Sequence, residues 1–173
     1  MKTLQTLFVN GSVGAGKTST AEELGRLLRA RDVPHAVVDL DWLRFAWPAP
    51  EDDPFNNELE LHNLADVTDN FREAGVERLV LAGVIEKRSM RARYETAVGG
   101  PVVVCRLSVE VPELLARLAL RHENRIDLEW HLRRAGELDQ LLAAERLDDF
   151  VIHVESDSVR VVAHRVLETI GWA

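Results

Sequence analysis

The feature that most constrains this chain is a glycine-rich segment near its beginning, in which four residues separate a glycine from a Gly-Lys-Thr triplet. The segment consists of Gly11, Ser12, Val13, Gly14, Ala15, Gly16, Lys17 and Thr18. It follows the mainly apolar run 7–10, typical of a short strand, and precedes residues 18–30, whose apolar positions recur at helical spacing. Glycines allow backbone N–H groups to converge, and the dipole of a helix N-terminus favours anions, so the segment is predicted to bind phosphate groups.

The side chains at the end of this segment have the chemistry that a nucleoside triphosphate requires. Lys17 is expected to contact the β- and γ-phosphates, the Thr18 hydroxyl to ligate Mg²⁺, and Ser19 to complete the nucleotide-binding set. Residues 153–158 lack the Asn-Lys-x-Asp pattern that reads guanine in switch GTPases, so a switch GTPase is disfavoured. ATP is the nucleotide we expect, and the residues leave the choice between ATP and GTP open. The residues therefore predict binding of ATP and Mg²⁺, but not yet turnover.

The composition is that of an ordinary globular protein and disfavours several partners. The 173 residues, of which 46% are hydrophobic, are expected to form one domain, 1–173. A net charge of −8 disfavours a nucleic-acid partner. No apolar run approaches the roughly 18 residues that cross a membrane, so we expect no membrane partner and a cytoplasmic protein, with the oligomeric state left open. The six histidines lack the spacing of metal ligands.

Short apolar segments alternate with helical patterns along the whole chain. The predicted strands lie at 7–10, 35–38, 78–82, 102–107 and 150–154, and Cys105 in the fourth is expected to be a buried thiol. Strands joined through helices run parallel, and both faces of such a sheet are covered. We therefore expect a three-layer α/β/α sandwich with a parallel sheet of about five strands.

A short acidic motif follows the second predicted strand, where Asp39, Asp41 and Arg44 form the pattern Asp-x-Asp-x-x-Arg. With the phosphate-binding segment it resembles the adenylylsulfate kinases, and also the gluconate and shikimate kinases, which are small-molecule kinases of the P-loop NTPase fold. The resemblance implies that Asp39 acts as base or Mg²⁺ ligand and that Asp41 and Arg44 contact the acceptor, as phosphoryl transfer requires. Alternatively, Asp41 caps a helix and Arg44 is a solvated side chain.

Two further groups of residues follow from the same resemblance. In these kinases a helix after the fourth strand forms a lid whose arginines close over the phosphates, which implies catalytic roles for Arg117 and Arg121, nucleotide contact for Arg121, and a lid near 117–136. Alternatively, Arg117 lies on an exposed helix flank and pairs with Glu113. Ser156, after the last strand, is implied to lie beside the adenine.

Aromatic residues are concentrated next to the acidic motif, at Trp42, Phe45, Trp47 and Phe55. We assign Trp42 and Phe45 to the substrate, since aromatic walls suit a partly apolar or ring-bearing acceptor. Alternatively, these two residues pack their helix onto the sheet. The resemblance extends to chloramphenicol phosphotransferase, so the acceptor is either a metabolite or an apolar antibiotic.

The residues after the third predicted strand decide between two functions. The favoured one is an ATP-dependent kinase that acts on a hydroxyl of a small molecule. The other is a regulatory or accessory nucleotide-binding module without turnover, because strand 78–82 is not followed directly by an acid and the first carboxylate, Glu86, comes late. Glu86 is either a second carboxylate near Mg²⁺ or a surface residue in the charged run 86–88, and the surface interpretation is slightly favoured.

Overall fold

The protein is described by a computed structural model that covers residues 3–110, 112–114, 133, 137–138 and 140–172. Arg117, Arg121 and nearly all of the predicted lid near 117–136 lie outside these residues. The regular elements are β1 Gln5–Gly11, α1 Lys17–Arg29, β2 His35–Asp39, α2 Leu40–Leu43, α3 Asn57–Glu73, β3 Arg78–Ala82, α4 Arg88–Ala97, β4 Val102–Val109, β5 Phe150–Val154 and α5 Val159–Ile170.

The five strands form one parallel sheet in the order β2-β3-β1-β4-β5. The central strand β1 has neighbours on both sides, so that Val9 lies opposite Ala82 of β3 and Cys105 of β4. From β1 the chain first builds the β2 and β3 side of the sheet and then crosses to the β4 and β5 side. Such a reversal leaves a crevice at the carboxyl ends of the strands, which is where ligands of open α/β sheets bind.

Helices cover both faces of the sheet, because consecutive side chains of β1 point to opposite faces. Leu7 and Val9 belong to one core cluster, which α1 and α5 complete. Phe8 belongs to the other, which α3 and α4 complete and where its ring meets the Tyr94 ring edge-on at 5.1 Å between centroids. The predicted three-layer sandwich is confirmed.

Local details follow the sequence closely. The strands β3 and β5 have the predicted bounds, and β4 continues two residues further than predicted, to Val109. Helix α5 begins after Ser158, whose side chain accepts a hydrogen bond from the Val161 N–H, and ends at Gly171 in the left-handed conformation. Burial raises the pKa of the Cys105 thiol in β4 to about 12, as expected of a structural cysteine. Within the described residues no helix has the length and apolarity needed to traverse a bilayer.

Candidate active site

The predicted phosphate-binding segment forms a tight loop between β1 and α1. Two of its glycines, Gly14 at φ 84° and Gly16 at φ 88°, adopt the left-handed conformation on either side of Ala15. Gly16 also occupies the N-cap position of α1, where no side chain satisfies the first N–H groups of the helix. Alternating conformations of this kind turn successive N–H groups toward one point and form an anion-binding concavity.

The side chains of the loop fit a polyphosphate. The Lys17 ammonium folds back over the loop and donates to the Ser12 carbonyl at 2.9 Å. The Ser12 hydroxyl is buried and, among the described residues, has no hydrogen-bond partner. A loop with a cation, free helix N–H groups and an unsatisfied hydroxyl has the donors that phosphate oxygens require.

Asp39 joins the loop to the acidic motif. It is the last residue of β2, and its Oδ2 accepts a hydrogen bond of 2.7 Å from the Thr18 hydroxyl in the first turn of α1. Its Oδ1 accepts from the Asp41 N–H at 3.0 Å and caps α2, so the interpretation of Asp41 as the helix cap is wrong. Both carboxylate oxygens are thereby oriented by hydrogen bonds.

The donors around Asp39 fit Mg²⁺. A hydroxyl and a carboxylate are the hard oxygen ligands that this ion prefers, and it usually combines one or two protein ligands with phosphate oxygens and water. In the part of the chain that the structure describes, no three acidic, histidine or cysteine side chains converge on one point. Thr18 and Asp39 therefore fit an ion that arrives with a nucleotide and is held mainly by its phosphates.

The segment at the end of α2, which carries the end of the acidic motif, is held in place by two asparagines of the neighbouring helix region. Asn56 donates to the carbonyls of Arg44 and Ala46, at 3.1 Å and 3.0 Å, and Asn63 of α3 donates to the Leu43 carbonyl at 2.6 Å. Helix α2 has only four residues, so such bonds fix its end where helical hydrogen bonds cannot. They position Asp41, Trp42 and Arg44 relative to the phosphate-binding loop.

Arg44 is not a solvated side chain, contrary to that interpretation, because its side chain is only 26% exposed and lies between two carboxylates. Its Nε donates to Asp41 at 3.1 Å, and one terminal nitrogen forms a further short hydrogen bond to the same oxygen. The other terminal nitrogen lies 3.3 Å from Glu60 of α3. Glu60 in turn accepts a hydrogen bond from the Tyr94 hydroxyl of α4.

This buried network shifts the pKa values of its members. Burial raises the pKa of Glu60, although the Tyr94 hydrogen bond and the Arg44 charge oppose the shift. Burial and the Glu60 charge also raise the pKa of Tyr94. Burial of Arg44 lowers its pKa, but the hydrogen bond to Asp41 and the charges of Glu60 and Asp41 outweigh burial, so the net shift is upward.

Replacing Glu60 with glutamine is expected to change how the stability depends on pH. The raised pKa of Glu60 means that the folded wild type binds a proton more tightly than the unfolded chain, so this group's contribution to stability is lost as the pH rises above the ordinary glutamate value, about 4.3. Glu60→Gln removes that loss. The free energy of unfolding of the variant, measured in urea against wild type, should therefore rise relative to wild type between acidic and neutral pH, and a constant difference would contradict the assignment.

The aromatic side chains beside the acidic motif are exposed to solvent. Trp42 is 77% exposed and Phe45 is 84% exposed, with ring centroids 5.9 Å apart in an edge-on arrangement. The interpretation that these residues pack α2 onto the sheet is therefore wrong. Together with Phe55 they line a cleft of about 960 Å³, which Lys17 and the phosphate-binding loop also line.

Sequence reasoning missed Asn10, the last polar residue of the run before the loop. It is fully buried, its amide donates to the Ile85 carbonyl at 3.2 Å, and its Oδ1 accepts from the N–H groups of Ile85 and Gly11 at 3.1 Å and 2.9 Å. These bonds tie the segment after β3 to the phosphate-binding loop. The available signal was a polar residue that ends an otherwise apolar strand.

Asn10 also explains the position of Glu86, which directly follows Ile85. Glu86 is half-buried and lines the cleft with Thr18 and Asp39, so the interpretation as a simple surface residue is wrong. The late carboxylate after β3 reaches the site because the intervening residues turn back toward β1. The cleft therefore combines acids from the ends of β2 and β3 with the phosphate-binding loop.

A second cavity, of about 280 Å³, lies on the other side of the loop. It is lined by Gly14, Ala15, Gly16, Ser19, Thr20, Val154, Asp157, Val159 and Val162. The apolar valines from β5 and α5 suit a flat base. Ser156 is exposed and its neighbour Asp157 lines the cavity instead, so contact between Ser156 and adenine stays a prediction.

Comparison with known proteins gives a consistent fold. No protein-family model matches the chain, and neither does any curated protein. Among solved structures, the tunicamycin resistance protein of Deinococcus radiodurans superposes with a TM-score of 0.70 and 19% identity, covering 97% of this chain and 96% of that one. APS kinase of Mycobacterium tuberculosis, in complex with AMPPNP and APS, gives 0.66 and 20% over 99% of both chains.

Shikimate kinase from Bacteroides thetaiotaomicron gives a TM-score of 0.67 at 18% identity and covers 96% of this chain and 98% of that one. This protein therefore has the fold of the P-loop small-molecule kinases, and the predicted resemblance is confirmed at the level of the fold. The low identities leave the reaction and the acceptor to be argued from the site.

Proposed function

We propose that this protein is an ATP-dependent phosphotransferase that transfers the γ-phosphoryl group to a hydroxyl of a small molecule. The proposal rests chiefly on the 2.7 Å contact between Thr18 Oγ1 and Asp39 Oδ2, which joins the phosphate-binding loop to the acidic motif inside one cleft. A module that only binds nucleotide has no need of a second half lined by Asp41, Arg44 and aromatic rings. The APS kinase of the same fold was solved with AMPPNP and APS, which supports an ATP-binding half and an acceptor half.

In this proposal the main polar residues of the cleft have distinct roles in phosphoryl transfer. Thr18 and Asp39 would hold Mg²⁺, which when bound neutralises charge on the phosphates. Lys17 and the N–H groups of the loop bind the β- and γ-phosphates. The acceptor oxygen forms the new P–O bond, the bond from the γ-phosphorus to the bridging oxygen breaks, and ADP leaves with the electron pair. The hydroxyl proton passes to a carboxylate, for which Asp39 and Asp41 are the candidates.

Three parts of this proposal come from the sequence. Arg117 and Arg121 are proposed to close over the transferred group, where positive charge and exclusion of water favour phosphoryl transfer. The cofactors are proposed to be ATP and Mg²⁺, and the compartment is proposed to be the cytoplasm.

A nucleotide-binding regulatory module is the second candidate function, since no acid directly follows β3. Glu86 in the cleft reduces the force of that observation.

Replacing Asp39 with asparagine tests the proposal. Wild type and variant are assayed for ADP release from Mg-ATP with a panel of alcohols, sugars, nucleosides and antibiotics, and ATP binding is measured by calorimetry. Asp39→Asn should bind ATP nearly as well as wild type and lose turnover by about 10²- to 10⁴-fold, the usual contribution of a positioned acid or base. Asp66→Asn, which alters an exposed carboxylate of α3, is the matched control and should behave as wild type.

Two results would count against a kinase. One is ADP release by Asp39→Asn at the wild-type rate. The other is a wild type whose ADP release no member of the panel accelerates, which would favour the regulatory module.

A further inference from the structure

The positive charge of Arg44, which lies beside the aromatic residues of the cleft, is already matched by the protein. All three guanidinium nitrogens of Arg44 face carboxylate oxygens, two at Asp41 and one at Glu60. The planar fork that would bind a carboxylate or phosphate of a ligand is therefore occupied. An anionic acceptor would have to displace one of these two carboxylates.

The two carboxylates differ in how easily they can be displaced. The Asp41 side chain is 72% exposed and can rotate into water. Glu60 is 1% exposed, lies in the first turn of α3, and is also held by the Tyr94 hydroxyl. Losing its cationic partner would leave a buried charge uncompensated, which is strongly unfavourable. Glu60 therefore keeps Arg44 and neutralises its charge, so that an anion which displaced Asp41 would meet a cation that is already matched.

Among the described residues, the other charged groups that line the cleft favour a ligand without a negative charge. Arg93 is paired with Glu58 at 2.6 Å, and Lys87 is exposed and directly follows Glu86. Among the described residues that line the cleft, carboxylates outnumber cations, with Asp39, Asp41, Asp52, Asp53, Glu58 and Glu86 against Lys17, Arg44, Lys87 and Arg93. A ligand that carries a negative charge would meet a potential of the same sign.

The apolar residues that line the cleft offer a binding surface for an uncharged ring. Trp42 and Phe45 line the cleft and are largely exposed, Phe55 is 56% exposed, and Val84 and Met90 line the same cleft. Rings of this size contribute strongly to binding when a second ring covers them, through burial and offset or edge-on stacking. Neighbouring Trp47 is 92% exposed but does not belong to the cleft lining, so it provides an internal comparison.

From these observations we infer that the acceptor is a ring-bearing alcohol without a negative charge, that Trp42 and Phe45 bind its ring, and that Glu60 excludes anions by retaining Arg44. The inference rests on the proposed function only in taking the bound molecule to be the acceptor. It assigns to Glu60 a positioning and specificity role, since the carboxylate acts through Arg44.

A set of probes that share a phenyl ring and a hydroxyl group but carry different charges tests this inference by binding. The probes are 3-phenyl-1,2-propanediol (neutral), phenylalaninol (cationic) and 3-phenyllactate (anionic), with ringless 1,2-propanediol as control. Binding is measured by ligand-observed NMR in the presence of Mg-AMPPNP. The neutral diol should bind at least about tenfold more tightly than phenyllactate, and more tightly than propanediol.

Variants separate the two halves of the inference. Trp42→Ala and Phe45→Ala should each weaken binding of the phenyl diol about fivefold or more, the scale of one aromatic contact, whereas Trp47→Ala should leave it unchanged. Glu60→Gln keeps the shape of the side chain and removes its charge. The ratio of the diol affinity to the phenyllactate affinity should therefore be about tenfold smaller in Glu60→Gln than in wild type.

Three outcomes would overturn the inference: tighter or equal binding of phenyllactate by wild type, equal effects of Trp42→Ala and Trp47→Ala, or no binding by either the diol or phenylalaninol. If Glu60→Gln does not fold, the charge series on wild type still decides. Because binding needs no phosphoryl transfer, these results are independent of ADP release. If the probes contradict the inference, the kinase proposal is unaffected. If the kinase proposal fails, the relative affinities of the probes still show whether the cleft prefers neutral ring-bearing alcohols.

Discussion

Replacing Lys17 with alanine is expected to weaken Mg-ATP binding by about a hundredfold, or about 2.7 kcal/mol, with little effect on folding. The Lys17 ammonium lies over the loop, 2.9 Å from the Ser12 carbonyl, at the N-terminus of α1 where the phosphates are expected. Removing it deletes a full positive charge from a partly buried site, whereas the backbone nest formed around Gly14 and Gly16 remains. Calorimetric titration with Mg-ATP measures the loss.

The control for Lys17→Ala is Arg29→Ala, which removes a charge of the same sign from the exposed end of the same helix. Its affinity for Mg-ATP should stay within about twofold of wild type, since charges beyond a Debye length, roughly 8 to 10 Å, are largely screened. Equal affinities of Lys17→Ala and wild type would show that the loop does not bind phosphates, and would remove the basis of the proposed function.

Replacing Asn10 with alanine is expected to destabilise the fold by about 3 kcal/mol, a large loss of stability for a single polar side chain. Its three hydrogen bonds are all buried, and without them the N–H groups of Gly11 and Ile85 and the Ile85 carbonyl have lost their partner. Denaturation in urea measures the change. Affinity for Mg-ATP should fall as well, because the loop would no longer be tied to the segment that carries Glu86.

Asn70→Ala provides the matched control for this second prediction. Asn70 is exposed on α3, where alanine is the better helix former, so this variant should be as stable as wild type or slightly more stable. A loss below about 1 kcal/mol for Asn10→Ala would mean that water satisfies the freed groups and that Asn10 does not organise the site.

Much of the fold could be predicted because it depends on local patterns. The apolar runs of β3 and β5 gave their bounds directly, and the loop from Gly11 to Thr18 carries its conformation in its glycines. The alternation of strands and helices then required parallel pairing and two covered faces, since β1 places Leu7 and Phe8 on opposite sides. Each of these properties is set by residues that are close together in the chain.

The contacts of the acidic motif and its aromatic neighbours were predicted less well, because they join distant parts of the chain. Asp39 could be assigned from its motif, but its hydrogen bond to Thr18 depends on how β2 lies relative to α1. Nothing in the spacing of Arg44 and Glu60 marks them as partners, since their contact requires α3 to pack beside the short helix α2. Exposure of Trp42 likewise depends on which face of α2 the sheet leaves free.

Chain-local chemistry was therefore sufficient to predict the glycine-rich loop and the class of fold, and to propose Asp39 as the first acid of the site. Packing established which charges are matched and which rings are free, because those properties depend on neighbours that are brought together only when the layers assemble. Asn10 and Glu60 belong to this second group: each is a polar side chain buried by elements remote in sequence, and each acquires its role from the partners found there.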